Sequence, residues 1–376
     1  MTPMRSFATQ ALALALTAFS LASHAEDPIV IGQSAPFTGP SAQLAAEFNL
    51  GARTYFQMVN ESGGVHGRRI ELKALDDGYD PSVTVKNTND LLDKEHALAL
   101  FGYVGTSTTL AALPVVTANQ VPFIAPVSGA EALRRPFNRM VFNVRASYLD
   151  EAQYIVGQLT VSSLKSIAVF YQNDAYGKAG LEAFTTAQRK HGDVQLLGSA
   201  TIERHSTDVA AQAKALLAMH AQAVMLISSY SSSAALIKEM KKDGFTGQFV
   251  SVSFVGGKAL ADELGSQGTG VMISEVTPFP WGESGQLQRD YTKALHKASV
   301  PGASFGSMEG FLAAKVLVEG LQRAGRDVTR AKLVAALESM TNWDAGGVRI
   351  SFSPDNHNGS HFVEMTMIGP GGRFVH

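Results

Sequence analysis

The sequence predicts an α/β chain of two doubly wound parallel-sheet lobes. Two observations lead there. Short apolar runs alternate with segments of helical periodicity, in two successive series. The runs are continuous rather than alternating, as strands covered on both faces require. The chain has 376 residues, enough for two domains.

Residues 1–25 read as a secretory signal. Arg5 supplies the positive start, Ala11 to Leu21 the apolar stretch, and Ser23-His24-Ala25 the small-x-small cleavage pattern, with the cut after Ala25. The stretch is shorter than the roughly 18 apolar residues of a membrane span. The chain is therefore expected in the periplasm and not itself membrane-spanning.

The first series follows. "PIVIGQ" at 28–33 is a strand, and Leu44, Phe48, Tyr55 and Val59 recur at helical spacing. A strand is expected from about Arg69, then helix 82–94, strand 98–104, helix 108–119 and strand 122–125. The second series is strand 167–171, helix 175–191, strand 194–200, helix 207–219, strand 223–228, helix 231–243 and strand 248–253. Segments 141–150 and 274–281 read as crossings; Pro278 and Pro280 forbid a long helix in the latter. Helical patterns 284–298, 305–325 and 329–339 would return to the first lobe. Strands 348–352 and 361–367 would finish the second after a third crossing near Asp344. The expected division is 26–145 plus 276–344, and 146–275 plus 345–376.

Composition narrows the function. Hydrophobic residues make up 45% and charged residues 17%, with a net charge of -2. No basic stripe invites a nucleic acid. There is no cysteine, so no disulfide supports the fold.

The candidate site lies where strands hand over to helices. In open α/β sheets, ligands bind beyond the carboxyl ends of strands. "LFGYVGTSTTLAAL" (100–113) places Thr106 and Ser107 at such a junction, where helix amides suit an anion and hydroxyls add donors. The hydroxyls serve equally well as helix caps. "VPFIAPVSGAEAL" (121–133) repeats the layout with Ser128-Gly129, and Gly129 permits close approach to the backbone. On neighbouring strands, the two junctions would converge on one small group such as a carboxylate.

"DDGYDP" (76–81) lacks calcium-loop spacing and reads as an Asp-capped turn. The ten histidines are read as forming no zinc cluster, and no nucleophile elbow is read in the chain. "GQSAPFTG" lacks the Gly-Lys-Ser/Thr ending of a phosphate loop. No cofactor, no metal and no enzymatic activity are expected.

An ordered set of segments carries a resemblance over nearly the whole chain after the signal. Gly39-Pro40, the Asn60 to Gly67 turn, Asp76-Asp77 with Asp80-Pro81, "QNDAYGKAG" (172–180) and "MEGFLAAKVLVEGL" (308–321) resemble the leucine/isoleucine/valine-binding proteins. These are periplasmic receptors of ATP-driven branched-chain amino-acid importers, of type I periplasmic binding fold. The resemblance implies two lobes joined by three crossovers that close as a hinged trap, and an ABC permease in the inner membrane as partner. It places the ligand's carboxylate at Thr106 and at Val127, Ser128 and Gly129. It brings Tyr176 and Tyr230 from the second lobe. Leu44 stands where an aromatic is usual, and Ser253 where a carboxylate usually meets the ligand's ammonium. That last departure makes an aromatic or aliphatic carboxylate without an amine a competing ligand. A sensor docked on a signalling membrane protein is the competing role.

Overall fold

A computed structural model describes residues 27–376 apart from 192 and 301. The signal segment 1–25 and its cleavage point lie outside the described residues.

The first series runs β1 (Ile29–Ala35), α1 (Ala42–Glu61), β2 (Ile70–Asp76), α2 (Pro81–Asp93), β3 (Ala99–Phe101), α3 (Thr106–Ala118), β4 (Phe123–Ile124) and β5 (Val141–Phe142). The second runs α4 (Tyr148–Val161), β6 (Ser166–Gln172), α5 (Ala175–His191), β7 (Gln195–Ile202), α6 (Ala210–Leu217), β8 (Ala223–Ile227), α7 (Tyr230–Lys242), β9 (Gln248–Ser251), α8 (Gly257–Leu264) and β10 (Met272–Glu275). The chain ends with α9 (Gln286–Lys297), α10 (Phe305–Ala324), α11 (Arg330–Glu338), β11 (Trp343–Asp344), β12 (Arg349–Ile350), β13 (Glu364–Ile368) and β14 (Phe374–Val375).

Two main sheets result. The first has the order β2-β1-β3-β4-β5 and is parallel throughout. The second has the order β14-β13-β10-β9-β8-β6-β7; its β10-to-β7 part is parallel, and β13 and β14 join antiparallel. Both parallel parts follow one winding: the first strand of each series flanks the second and the third. Winding reverses between β1 and β3 and between β6 and β8, the crevices where such sheets take ligands.

Burial follows the sequence pattern. β3 and β8 are buried at every residue, as strands covered by helices on both faces must be. The faces of the second sheet divide cleanly. Ile167, Val169, Met225 and Ile227 join the main core, while Ala168, Phe170, Val224 and Leu226 pack with α7 and α8 on the other side.

Helix α10 lies along α1 at unusually close range. A Cβ on Gly51 would stand 1.7 Å from the Ser307 carbonyl oxygen, and one on Gly310 would stand 1.9 Å from that of Phe48. Glycine at both positions lets the two backbones touch.

The structure corrects the sequence reading in two places. Strand 348–352 does not reach the second sheet. Its core, β12, folds back on β11 as a separate two-stranded ribbon. Asp344 Oδ1 accepts from Gly346 and Gly347 amides at 2.9 and 2.6 Å, and both glycines have positive φ, so the turn closes locally. Segment 141–150 is a crossing only to residue 147. Helix α4 begins at Tyr148, held by a capping box between Ser147 and Asp150.

Candidate functional site

The two first-sheet junctions do converge. Val104 and Val127 pair across the loops beyond β3 and β4. This brings Thr106 Oγ1 within 2.8 Å of Ser128 Oγ, both buried. The hydroxyls do not cap α3. Its N-cap is Gly105 with no side-chain hydrogen bond, and Thr108 donates backward to the Val104 and Gly105 carbonyls. By contrast, α2, α4, α7, α10 and α11 carry side-chain caps from Asp80, Ser147, Ser229, Ser304 and Thr329. The start of α3 thus keeps its positive dipole end and first-turn amides free of a side-chain cap.

An aromatic wall faces this corner. Tyr148 and Tyr176 rings lie 5.6 Å apart, and Tyr176 and Phe254 4.5 Å apart. Gly129 serves the wall: its carbonyl accepts from the Tyr148 amide at 2.7 Å, and a Cβ there would stand 2.4 Å from the Tyr148 ring. Tyr79, in the turn after β2, lies against Gly105, where a Cβ would come within 2.4 Å of its ring.

Contacts bridge the two sheets' loops. Ser107 Oγ donates to Asp174 Oδ2 at 3.2 Å. Arg204 donates to the Tyr79 carbonyl at 2.8 Å and to Asp174 Oδ2 at 2.9 Å. Leu44 is buried, with its Cβ 3.6 Å from where a Cβ on Gly256 would stand.

Behind the wall sits an ionic group. Arg145, on the crossing after β5, donates through Nη2 to Ser253 Oγ. Its guanidinium lies 3.7 Å from Glu151 Oε1 and 3.6 Å from Glu309 Oε1. Glu151 Oε2 accepts from the Ser253 amide at 2.7 Å and from Ser274 Oγ at 2.6 Å. Burial pushes the Glu151, Glu309 and Glu275 carboxyls up, Glu275 well above the usual range because Glu151 and Glu309 add their repulsion. Burial opposes the charge of Arg145, but Glu309 and Glu151 outweigh it and hold its pKa up.

Several buried polar atoms on these and neighbouring elements have no hydrogen-bond partner. They include the hydroxyls of Tyr79, Thr109, Tyr148, Tyr176 and Thr277, Arg145 Nε and Nη1, and one oxygen each of Glu151 and Glu275. Buried polar groups are normally paired, so such a concentration calls for an explanation.

The expected site residues divide accordingly. Thr106, Ser128 and Gly129 meet at one corner, Tyr176 reaches it through Tyr148, Ser107 joins the loops of the two sheets, and Leu44 lies apart against Gly256 and Gly306. Val127 is scaffold: its amide donates to the Tyr103 carbonyl and its carbonyl accepts from Gly105. Tyr230 opens α7 half-buried and packs with the outer cluster of the second sheet, around Phe170 and Val209. Ser253 carries no charge but rests on two groups that do. Arg145, Tyr148 and Glu151 escaped the sequence reading because the start of α4 was read as crossing. The Ser147-x-x-Asp150 signature before an apolar periodic run was the available signal. Tyr79 left no such signal.

Two short spacings in the sequence imitate catalytic and metal motifs. Gly302-Ala303-Ser304-Phe305-Gly306 fits G-x-S-x-G, but Ser304 follows a loop and spends its hydroxyl capping α10. His357 and His361 fit H-x-x-x-H, yet His357 Nδ1 faces the Val141 carbonyl at 3.1 Å while His361 Nδ1 meets Asp150 at 3.0 Å. Among the described residues, no group of three or more His, Cys, Asp or Glu could hold a metal ion. No described helix is long and apolar enough to cross a membrane.

Comparison with known proteins gives a consistent answer. A family model described as periplasmic binding protein matches residues 28–373. An amino acid binding protein of Pseudomonas aeruginosa is 28% identical over 291 residues, covering 76% of each chain. Leu/Ile/Val-binding protein homolog 3 of Brucella melitensis is 24% identical over 323 residues, covering 85% of each. The crystal structure of a possible leucine/isoleucine/valine-binding protein from Rhodopirellula baltica has TM-score 0.87 and 29% identity, covering 94% of this chain and 97% of that one.

Proposed function

Since the chain belongs to the periplasmic binding protein family, and so binds its solute rather than transforming it, we propose that it is the periplasmic receptor of an ABC importer and that its ligand is an amino acid. The trap is formed by the two sheets with their helices, divided near residues 145, 275 and 344. Closure brings contacts from both sides onto one solute, which favours the closed form by the difference in affinity. The closed solute receptor then docks on a permease in the inner membrane.

The observation that carries this reading is the uncapped start of α3 with Thr106 and Ser128 beside it. Two hydroxyls and helix amides suit a ligand carboxylate. An ammonium needs an acidic partner, which Ser253 is not. Glu151 stands directly behind Ser253, and Glu275 and Glu309 lie in the same ionic group. Glu151 and Glu309 both flank one guanidinium, so a second cation would be matched there and a second anion would not. That supports an amino acid over a carboxylate lacking the amine.

The test is a thermal-shift screen of L-amino acids, each paired with the acid lacking its amino group. The expected result is stabilisation by one or more amino acids and little by the deaminated partners. Equal stabilisation by both would remove the amino-acid assignment. Binding that survives Thr106→Ala with Ser128→Ala would remove the carboxylate site.

A further inference from the structure

Beside the corner of Thr106 and Ser128 lie three phenols that make no hydrogen bond of normal geometry, although Thr106 stands near the hydroxyl of Tyr148 and Gln172 near that of Tyr79. Tyr79, Tyr148 and Tyr176 are fully buried, and the hydroxyl of each is without a hydrogen-bond partner. They come from three different places: the turn after β2, the start of α4 and the start of α5. Yet they meet. The Tyr148 and Tyr176 rings lie 5.6 Å apart, Tyr79 sits against Gly105 at the head of α3, and Tyr79 and Tyr176 both lie within electrostatic range of Tyr148. Thr109 Oγ1, one turn into α3, is likewise buried and unpartnered.

Three converging phenols are an expensive lining for an aliphatic side chain. Phenylalanine would supply the same apolar faces without the desolvation cost of the oxygens. A branched-chain side chain would leave every hydroxyl unpaired. A group that both donates and accepts would satisfy them, since a phenol does both. Charge is a separate matter. The ionic groups next to Tyr79, Asp174 and Arg204, are paired with each other at 2.9 Å, and those next to Tyr148 and Tyr176, Arg145 and Glu151, belong to the group assigned to the ligand's ammonium, so neither offers a free counter-charge. A charged side chain would be buried there unneutralised.

Building on the amino-acid reading above, we propose that this receptor selects an amino acid with an uncharged, hydrogen-bonding side chain, a carboxamide or hydroxyl, and discriminates against the branched-chain aliphatics. Tyr79, Tyr148 and Tyr176 are the specificity-determining residues. A site built to hydrogen-bond a polar group rejects the analogue lacking it far more strongly than an apolar pocket rejects a missing methylene.

Near-isosteric pairs test this directly. Calorimetric titration with L-asparagine against L-leucine, and L-threonine against L-valine, compares like shapes with and without polar atoms. Dissociation constants at least tenfold lower for the polar member of a pair are expected. Tyr79→Phe, Tyr148→Phe and Tyr176→Phe, made singly, each remove one oxygen. Each should shrink that ratio while leaving the melting temperature of the unliganded protein unchanged or raised, because the lost hydroxyl bonds nothing there. A tyrosine that merely supports the fold would lower that melting temperature and leave the ratio alone. Leucine or valine binding as tightly as its partner overturns the proposal, as does a ratio indifferent to all three substitutions. If no amino acid binds at all, the parent reading fails and takes this one with it; an aliphatic preference sinks this one only.

Discussion

The two walls of the cleft are built from different chemistry. The first-sheet wall is neutral: Thr106, Ser128 and the bare start of α3. The wall behind Ser253 is ionic: Arg145 among Glu151, Glu275 and Glu309, all buried. A neutral hydroxyl can be deleted at modest cost to the fold. A buried charge cannot lose its partner without leaving the rest uncompensated. The neutral wall should therefore govern ligand affinity with little effect on stability, and the ionic wall should govern stability first.

The largest effect expected is that of Arg145→Met. It leaves Glu151, Glu275 and Glu309 without their one cation, and loss of one partner from such a group costs about 3–5 kcal/mol. Urea unfolding of the unliganded protein measures it. A loss under about 1 kcal/mol would mean that the carboxyls are already neutral, and would erase the contrast between the walls.

Next is the neutral wall. Thr106→Ala with Ser128→Ala removes the hydroxyls proposed to hold a carboxylate, and hydrogen bonds to charged groups are worth about 1.5–3 kcal/mol. Roughly 10- to 100-fold weaker binding is expected by titration, with urea unfolding nearly unchanged. A large loss of stability with affinity preserved would reverse the roles assigned to the two walls.

The walls also differed in how plainly the sequence announced them. The neutral wall follows from local pattern: a continuous apolar run, small hydroxyl residues, then helical periodicity, twice over. Strand adjacency then puts the two tips together. The ionic wall has no local pattern. Arg145 sits on a crossing, Glu151 on α4, Glu275 at the end of β10 and Glu309 in α10. Only the interleaved path of the chain makes them neighbours. Tyr79 is a further case: its positive φ of 68° turns a residue of an ordinary Asp-rich turn toward α3. The overall winding was legible because continuous strands and periodic helices are local features. The 349–350 segment was misassigned because Gly346 and Gly347 close a ribbon on the spot, and periodicity carries no record of partner choice.

The pH response should separate the walls a third way. Burial first of all raises Glu364 to about 7 and Asp77 to about 6. Such groups hold a proton in the folded chain that the unfolded chain has released. Their contribution is complete below the unfolded carboxyl values and is lost as pH rises through the folded ones. Asp76 runs the other way. Burial opposes its charge, but hydrogen bonds from Gly78, Thr38 and Phe37 hold its pKa down, so its contribution disappears only in acid. Stability should fall between about pH 4.5 and 7.5, and Glu364→Gln should flatten that slope by roughly 1 kcal/mol after allowance for its partial exposure. A slope of opposite sign would place the charged forms of these carboxyls in the folded state.

The smallest effect tests the seam between the walls. Ser107 lies one residue from Thr106, yet its hydroxyl leaves the neutral corner and donates to Asp174 at 3.2 Å. Asp174 already accepts from Arg204 and Gln172 through the same oxygen. Loss of Ser107 therefore leaves no acceptor orphaned, and a single hydrogen bond of this kind is worth about 0.5–1.5 kcal/mol. Ser107→Ala should weaken ligand binding roughly two- to tenfold. Because the contact joins the loops of the two sheets, the change should lie in faster release with the association rate unchanged. Stopped-flow release measured against a competing ligand separates the two rates. A slower association with release unaltered would make Ser107 part of the ligand's own docking surface instead of a latch across the cleft.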